Sequence, residues 1–248
     1  MSILKISNFS KSYKGGKKAV DHLSLSVNPG DLFAFIGPNG AGKSTTIKSI
    51  VGILDFEEGE ILIDGKSIQQ VPLECKEVLA YIPDNPDIYE HLTGIDYLNF
   101  IADIFGLSAG DREADIKKYS EEFEISRNLG DLISSYSHGM KQKLTLIGAL
   151  IHHPKLMILD EPFVGLDPKA TMTLKKQMRE LCESGGAVLF STHILEVAEK
   201  LCNKVAMISR GKLVASGNMD EVLGNESLEE LFMNKIDSQE RGGPGDEK

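Results

Sequence analysis

Gly37, Gly40, Gly42, Lys43 and Ser44 stand in the string GPNGAGKSTT, Gly37 to Thr46, and fit the spacing G-x-x-x-x-G-K-[ST]. Glycines without a Cβ let the backbone wrap tightly, so that successive N–H groups converge on phosphate oxygens, aided by the dipole of the helix that follows. Lys43 adds a point charge for the terminal phosphates and Ser44 a hydroxyl for Mg²⁺, while Pro38, Asn39, Ala41 and Thr45 complete the loop. A second group of chemical interest is LMILDEP, Leu156 to Pro162. Asp160 ends an apolar run, where an ionised carboxylate is costly unless it faces a cation or a donor, so it is a candidate to hold Mg²⁺ through water. Glu161 follows at once and can position or deprotonate a water that lies within hydrogen-bond reach. A phosphate loop does not choose among kinase, GTPase and ATPase, but no N-K-x-D element after this strand is present to read guanine.

A third stretch, SSYSHGMKQKLTLIGAL, Ser134 to Leu150, reads after Met140 as an amphipathic helix with Leu144, Ile147 and Leu150 on one face. Its start places a hydroxyl, an imidazole and a bare backbone at Ser137, His138 and Gly139, where a helix exposes unpaired N–H groups and the positive end of its dipole. Two readings stand side by side: a serine N-cap followed by a tolerated glycine, or an anion site.

The elements that must carry these groups are legible in outline. ILKIS and LSLSV alternate like strands of an antiparallel sheet, with Leu23, Leu25 and Val27 facing one way before the turn NPGD. LFAFIG, LMILD and AVLFS are short continuous apolar runs, as buried strands of a parallel sheet would be. Between Thr93 and Leu150 the period turns helical: Tyr97, Leu98, Ile101, Ile104 and Phe105 mark one helix, and a charged helix runs from about Asp111 to Phe123. The expected fold is therefore α/β: a P-loop NTPase (RecA-like) core with an N-terminal antiparallel β-subdomain and an inserted α-helical subdomain at about 87–152. One domain is expected over 1–225, followed over 226–248 by a C-terminal helix and a disordered tail, SQERGGPGDEK.

Composition sets the limits. The 248 residues are 41% hydrophobic and 26% charged, as in a globular protein with a sizeable core. A net charge of -10 argues against a nucleic-acid coat, which relies on clustered Lys and Arg. Cys75, Cys182 and Cys202 are odd in number and lack CxxC spacing, which suits a reducing cytosol. No run of 18 apolar residues and no signal-peptide core is present, so the chain is not expected to cross a membrane itself.

Taken together, the motifs resemble those of the nucleotide-binding subunits of ABC transporters, over about Ile3 to Leu223. Beside the phosphate loop and LMILDEP, the string GLDP is similar to that family's D-loop (Gly165, Leu166, Asp167), and STH, Ser191 to His193, to its switch histidine. Tyr13 sits where the family stacks an aromatic ring on adenine, a contact that reads no base edge. YSHGM aligns with the LSGGQ signature, which the resemblance implies closes over nucleotide held by the partner subunit; Ser137 and Gly139 are kept, whereas Tyr136, His138 and Met140 depart from it. At YIPDNP, Asp84 replaces the usual Q-loop glutamine, so it can approach Mg²⁺ but adds negative charge beside Asp160 and Glu161.

The resemblance implies an ATPase that binds ATP and Mg²⁺, with Lys43, Glu161 and His193 as catalytic residues. It implies pairing with a second ATP-binding subunit, homodimer or heterodimer, and attachment through an integral membrane subunit to the inner face of the cell membrane, with no nucleic acid. YIPDNPDIYEHLT with YSHGMKQKL looks like the ABC-2 type, many of which serve export. The alternative is a soluble ABC ATPase acting on nucleic acid or ribosomes, against which stand a single cassette, no heptad run and no CxxC.

Overall fold

The computed structural model describes residues 1–13, 15–16 and 18–241, with side chains as far as 235. Strands β1 (Leu4–Ser12) and β2 (Lys18–Val27) pair antiparallel, and β1 pairs again with β4 (Glu58–Ile63), which pairs with the short β5 (Lys66–Ser67). The alternation in LSLSV works as expected: Leu23, Leu25 and Val27 are buried and the serines between them are exposed.

The central sheet has the order β10-β9-β3-β8-β7-β6. Its strands are β3 (Leu32–Ile36), β6 (Leu79–Ile82), β7 (Leu156–Asp160), β8 (Ala187–Thr192) and β9 (Lys204–Ser209), all parallel, with β10 (Lys212–Asn218) antiparallel on one edge. Strand β3 explains why LFAFI is apolar throughout. Leu32, Ala34 and Ile36 enter one hydrophobic core, while Phe33 and Phe35 enter a second core shared with the antiparallel sheet and α1 (Lys43–Ile50).

The first core holds α3 (Gly94–Ile104), α4 (Ala109–Glu122) and α5 (His138–Leu150), together with α6 (Pro168–Glu183) and α7 (Leu195–Leu201). The short helices α2 (Pro72–Lys76) and α8 (Met219–Leu223) and the C-terminal α9 (Leu228–Arg241) complete the order. On α5, Leu144 and Ile147 are wholly buried and Leu150 nearly so, which is the apolar face read from the sequence.

Two boundaries differ from expectation. Helix α4 starts at Ala109 rather than Asp111, because Ser108 caps it: its Oγ accepts from the Asp111 N–H at 3.2 Å. The tail expected to be disordered from Ser238 begins too early. Ser238–Arg241 continue α9, whose start is fixed by a reciprocal cap: Ser227 Oγ accepts from the Glu230 N–H (3.2 Å) and Glu230 Oε2 from the Ser227 N–H (2.9 Å). The first helix breakers come only at Gly242 and Gly243, and the remainder of that expected tail, 242–248, lies outside the described residues.

Candidate functional site

At the carboxyl ends of β3 and β7, where ligands of open α/β sheets collect, lies a cavity of about 910 Å³. It is lined by the phosphate loop from Pro38 to Thr45 except Ala41, and by Tyr13, Asp84, Asp160 and Glu161. Gly40 and Gly42 both have positive φ (77° and 109°), and a Cβ at Gly42 would lie 2.6 Å from the Ala19 carbonyl. At Gly37 a Cβ would lie 2.3 Å from the Ile208 carbonyl, so the loop is tied to β9 behind it.

The Lys43 side chain is buried inside this loop. Its ammonium donates to the carbonyls of Gly37 (2.6 Å) and Pro38 (3.3 Å). Burial lowers its pKa, and the negative charges of Glu161 and Asp160 work against that shift. Ser44 is exposed at the first turn of α1, and Ala41 is buried beneath the loop.

Asp160 is 2% exposed and ends β7. Its Oδ1 accepts from Ser191 Oγ on the neighbouring strand at 2.5 Å, and the same hydroxyl accepts from the Glu161 N–H at 3.0 Å. Ser191 thus fixes both carboxyl-bearing residues, an outcome of the Asp160↔Ser191 register between β7 and β8. Glu161 itself takes φ 49°, a left-handed conformation that turns the chain sharply out of the strand. There its Oε2 meets His193 Nδ1 at 2.9 Å. Glu161, Pro38 and Asn39 also line a second cavity of about 420 Å³ with His193, Thr192 and Phe232 of α9, so Glu161 stands between the two spaces.

Tyr13 is half-exposed, and its hydroxyl shares a hydrogen bond with Thr45 Oγ1 at 3.2 Å. Asp84, exposed after β6, accepts at Oδ1 from the Asn85 N–H. The Tyr81 phenol is pushed up to about 12, first by burial and then by the charges of Asp160 and Asp84, which places both carboxylates in one electrostatic neighbourhood.

The four residues at the start of α5 are not among those lining the phosphate-loop cavity. Ser137 caps the helix, its Oγ accepting from the Met140 N–H at 3.3 Å, so the cap reading of this residue is what the chain displays. Ser137 and His138 remain exposed, and Gly139 and Met140 are half-buried. This helix start is joined to the segment after Glu161. A Cβ on Gly139 would lie 2.9 Å from the Gly165 carbonyl, and one on Gly165 would lie 2.6 Å from His138 Cδ2. Asp167 caps α6 by accepting from the Ala170 N–H and pairs with Lys143 Nζ at 2.6 Å, and Leu166 packs against the core. The Lys143 bond is the first cause that holds the Asp167 carboxyl below the usual carboxylate range.

Sequence reasoning did not single out Ser191 as the link between the two carboxyl residues, nor Gln142. The latter is fully buried and donates Nε2 to the Pro162 carbonyl at 3.1 Å, fastening α5 to the loop after Asp160. It also missed Lys18, Ala19 and Arg210, which line the main cavity. Lys18, Ala19 and Arg210 belong to none of the motifs read from the sequence.

The family model described as ABC transporter matches residues 20–164. The chain is 34% identical over 238 residues to the ABC-type transporter ATP-binding protein EcsA of Bacillus subtilis, covering 94% of this chain and 96% of that protein. It is 34% identical over 236 residues to the lipopolysaccharide export system ATP-binding protein LptB of Escherichia coli, covering 94% and 98%. Among solved structures, one described as an ATP binding subunit of an ABC transporter superposes with a TM-score of 0.91 at 35% identity, over 95% of this chain and all of the other.

Proposed function

The chain belongs to the ATP-binding subunits of ABC transporters, and from that premise we propose how its residues divide the work of an ATP-hydrolysing subunit that powers transport. The phosphate loop holds the β- and γ-phosphates through its backbone N–H groups, and the Lys43 ammonium leaves its own carbonyls to meet the terminal phosphate oxygens. Tyr13 stacks on adenine, its ring steadied by Thr45. Glu161 accepts the proton of the attacking water, and His193 holds the Glu161 carboxylate in place at the rim. The observation that carries this assignment is the Glu161–His193 contact of 2.9 Å, made where Glu161 stands between the phosphate-loop cavity and the second cavity, with Asp160 anchored beside it by Ser191.

Among the described residues no three His, Cys, Asp or Glu side chains gather into a metal cage. The oxygen donors at the cavity do suit Mg²⁺, which keeps most of its waters and takes few protein ligands. Ser44 and Asp160 are the residues that would hold it, with Asp84 beside them, and when bound it supplies charge neutralisation between phosphates.

The exposed start of α5, with Ser137, His138, Gly139 and Met140 outside their own chain's nucleotide cavity, supports a role toward a second subunit. There its N–H groups close over that subunit's terminal phosphate, with Gly165, Leu166 and Asp167 transmitting closure to Glu161. ATP then favours the closed pair because only the closed pair contacts the phosphate from both sides.

Among the described residues no helix is long and apolar enough to cross a membrane. We assign membrane attachment to an integral partner whose cytoplasmic helix seats on the face around Tyr89 and Phe100. Both are exposed, and their rings meet edge to face at 5.7 Å; Leu92 instead packs against the core. The name of LptB, an export system ATP-binding protein, favours export over the soluble alternative, and the strings YIPDNPDIYEHLT and YSHGMKQKL support the ABC-2 type. The test is purification from membranes: the subunit should copurify with one integral membrane protein and hydrolyse ATP, and cross-links from Tyr89 or Phe100 positions that reach only soluble proteins overturn the transporter assignment.

A further inference from the structure

Arg210 stands at the rim of the main cavity in the two-residue turn between β9 and β10. Ser209 pairs with Lys212 across this turn, and Arg210 and Gly211 take positive φ of 49° and 78°. Such a turn favours Asn-Gly or Asp-Gly, because an ordinary side chain in the left-handed region costs roughly 1–2 kcal/mol. An arginine here is a local cost that the hairpin does not need.

The turn is also held firmly. The Gly211 N–H donates to the Ala41 carbonyl at 2.9 Å, and the Asp21 N–H donates to the Gly211 carbonyl at 2.8 Å. A Cβ on Gly211 would lie 2.7 Å from the Ala19 carbonyl. The turn is therefore wedged between the phosphate loop and the start of β2, on the side of the cavity where Lys18 and Ala19 stand, and it presents Arg210 from a fixed base.

The charge balance at that end is uneven. Lys18 is matched by Asp21 at 2.9 Å and Glu58 at 3.8 Å, and Lys212 by Asp21 at 3.3 Å. Arg210 has no ion pair among the described residues. A guanidinium offers only donors, arranged as a planar fork that matches phosphate oxygens and the O6 and N7 edge of guanine and can also donate to sugar hydroxyls; the loop N–H groups and Lys43 already serve the phosphates.

We propose that Arg210 is a further nucleotide-binding residue that donates to the nucleoside end of the ligand. This rests on the reading of the cavity as the ATP site. It adds to that site a side chain outside the phosphate loop and beyond the stacking Tyr13. Because the contact spares the phosphates, the residue adds affinity for the nucleoside end rather than changing how phosphate is held.

The test uses the full chain and Arg210→Asn, since Asn suits the turn and should leave the melting temperature without nucleotide undiminished. By calorimetry, ADP affinity should fall on the order of tenfold, the size of one charge-assisted hydrogen bond. Inorganic pyrophosphate should bind the variant and the parent alike. A larger loss for GDP than for ADP places the contact on the O6 and N7 ring edge, whereas equal losses place it on the sugar. Unchanged ADP affinity overturns the proposal, and so does an equal loss for pyrophosphate, which would put the guanidinium at the phosphates. If the parent protein itself binds no ADP, the reading of the cavity fails first and takes this inference with it.

Discussion

Glu161→Gln separates chemistry from folding more cleanly than any other change at this site. Gln keeps the length and hydrogen-bonding reach of the side chain but removes its capacity as a base. General-base contributions of about 10²–10⁴ in rate correspond to roughly 2.7–5.4 kcal/mol at about 1.36 kcal/mol per tenfold. The cost to the fold should be far smaller. The substitution weakens at most one hydrogen bond, to His193, whose side chain is 61% exposed against 20% for Glu161, and such a bond contributes about 1 kcal/mol. The Glu161 N–H to Ser191 bond and the Val164 N–H to Glu161 carbonyl bond belong to the backbone and survive, and Gln meets the same cost at φ 49° as Glu does. Steady-state phosphate release should therefore drop at least about a hundredfold while urea unfolding shifts by no more than about 1 kcal/mol. With the γ-phosphate retained, ATP but not ADP should trap a dimer visible by light scattering, and adding Ser137→Arg should abolish trapping. Wild-type turnover by Glu161→Gln refutes the base assignment; a double mutant that still dimerises with ATP leaves the start of α5 as a helix cap only.

Lys43→Ala should reduce ATP affinity by about a hundredfold or more in calorimetry, since the loop offers the terminal phosphates no other formal positive charge, and unchanged affinity would defeat that role. GTP should compete measurably with ATP, because stacking on Tyr13 reads no base edge; complete rejection of GTP would reveal an edge contact hostile to guanine. Gly139→Ala should destabilise the fold by about 1–3 kcal/mol in urea titration, since its methyl would press to 2.9 Å of the Gly165 carbonyl, and a neutral result would mean the two segments part easily.

What the sequence determined by itself was whatever is written contiguously. The phosphate loop, the apolar run ending in Asp160 and Glu161, and the apolar face of α5 each lie within one short segment, where glycine spacing, charge and a period of 3.6 act between near neighbours. The capping of α5 by Ser137 was open to the same local logic, as was the alternation in β1 and β2, although the pairing of β1 with the distant β4 was not. The tertiary structure decided what joins segments distant in the chain. Register between β7 and β8 sets Ser191 against Asp160, 31 residues away, and brings His193 to Glu161 across 32. The close approach of Gly139 to Gly165, the buried Gln142 beneath the loop and the Arg210 turn at the cavity depend on packing between elements that no local pattern encodes. The starts of α4 at Ala109 and of α9 at Leu228 belong between these extremes. Each follows from a serine cap written in the sequence, whose hydrogen bond forms only once the backbone has turned into the helix it begins.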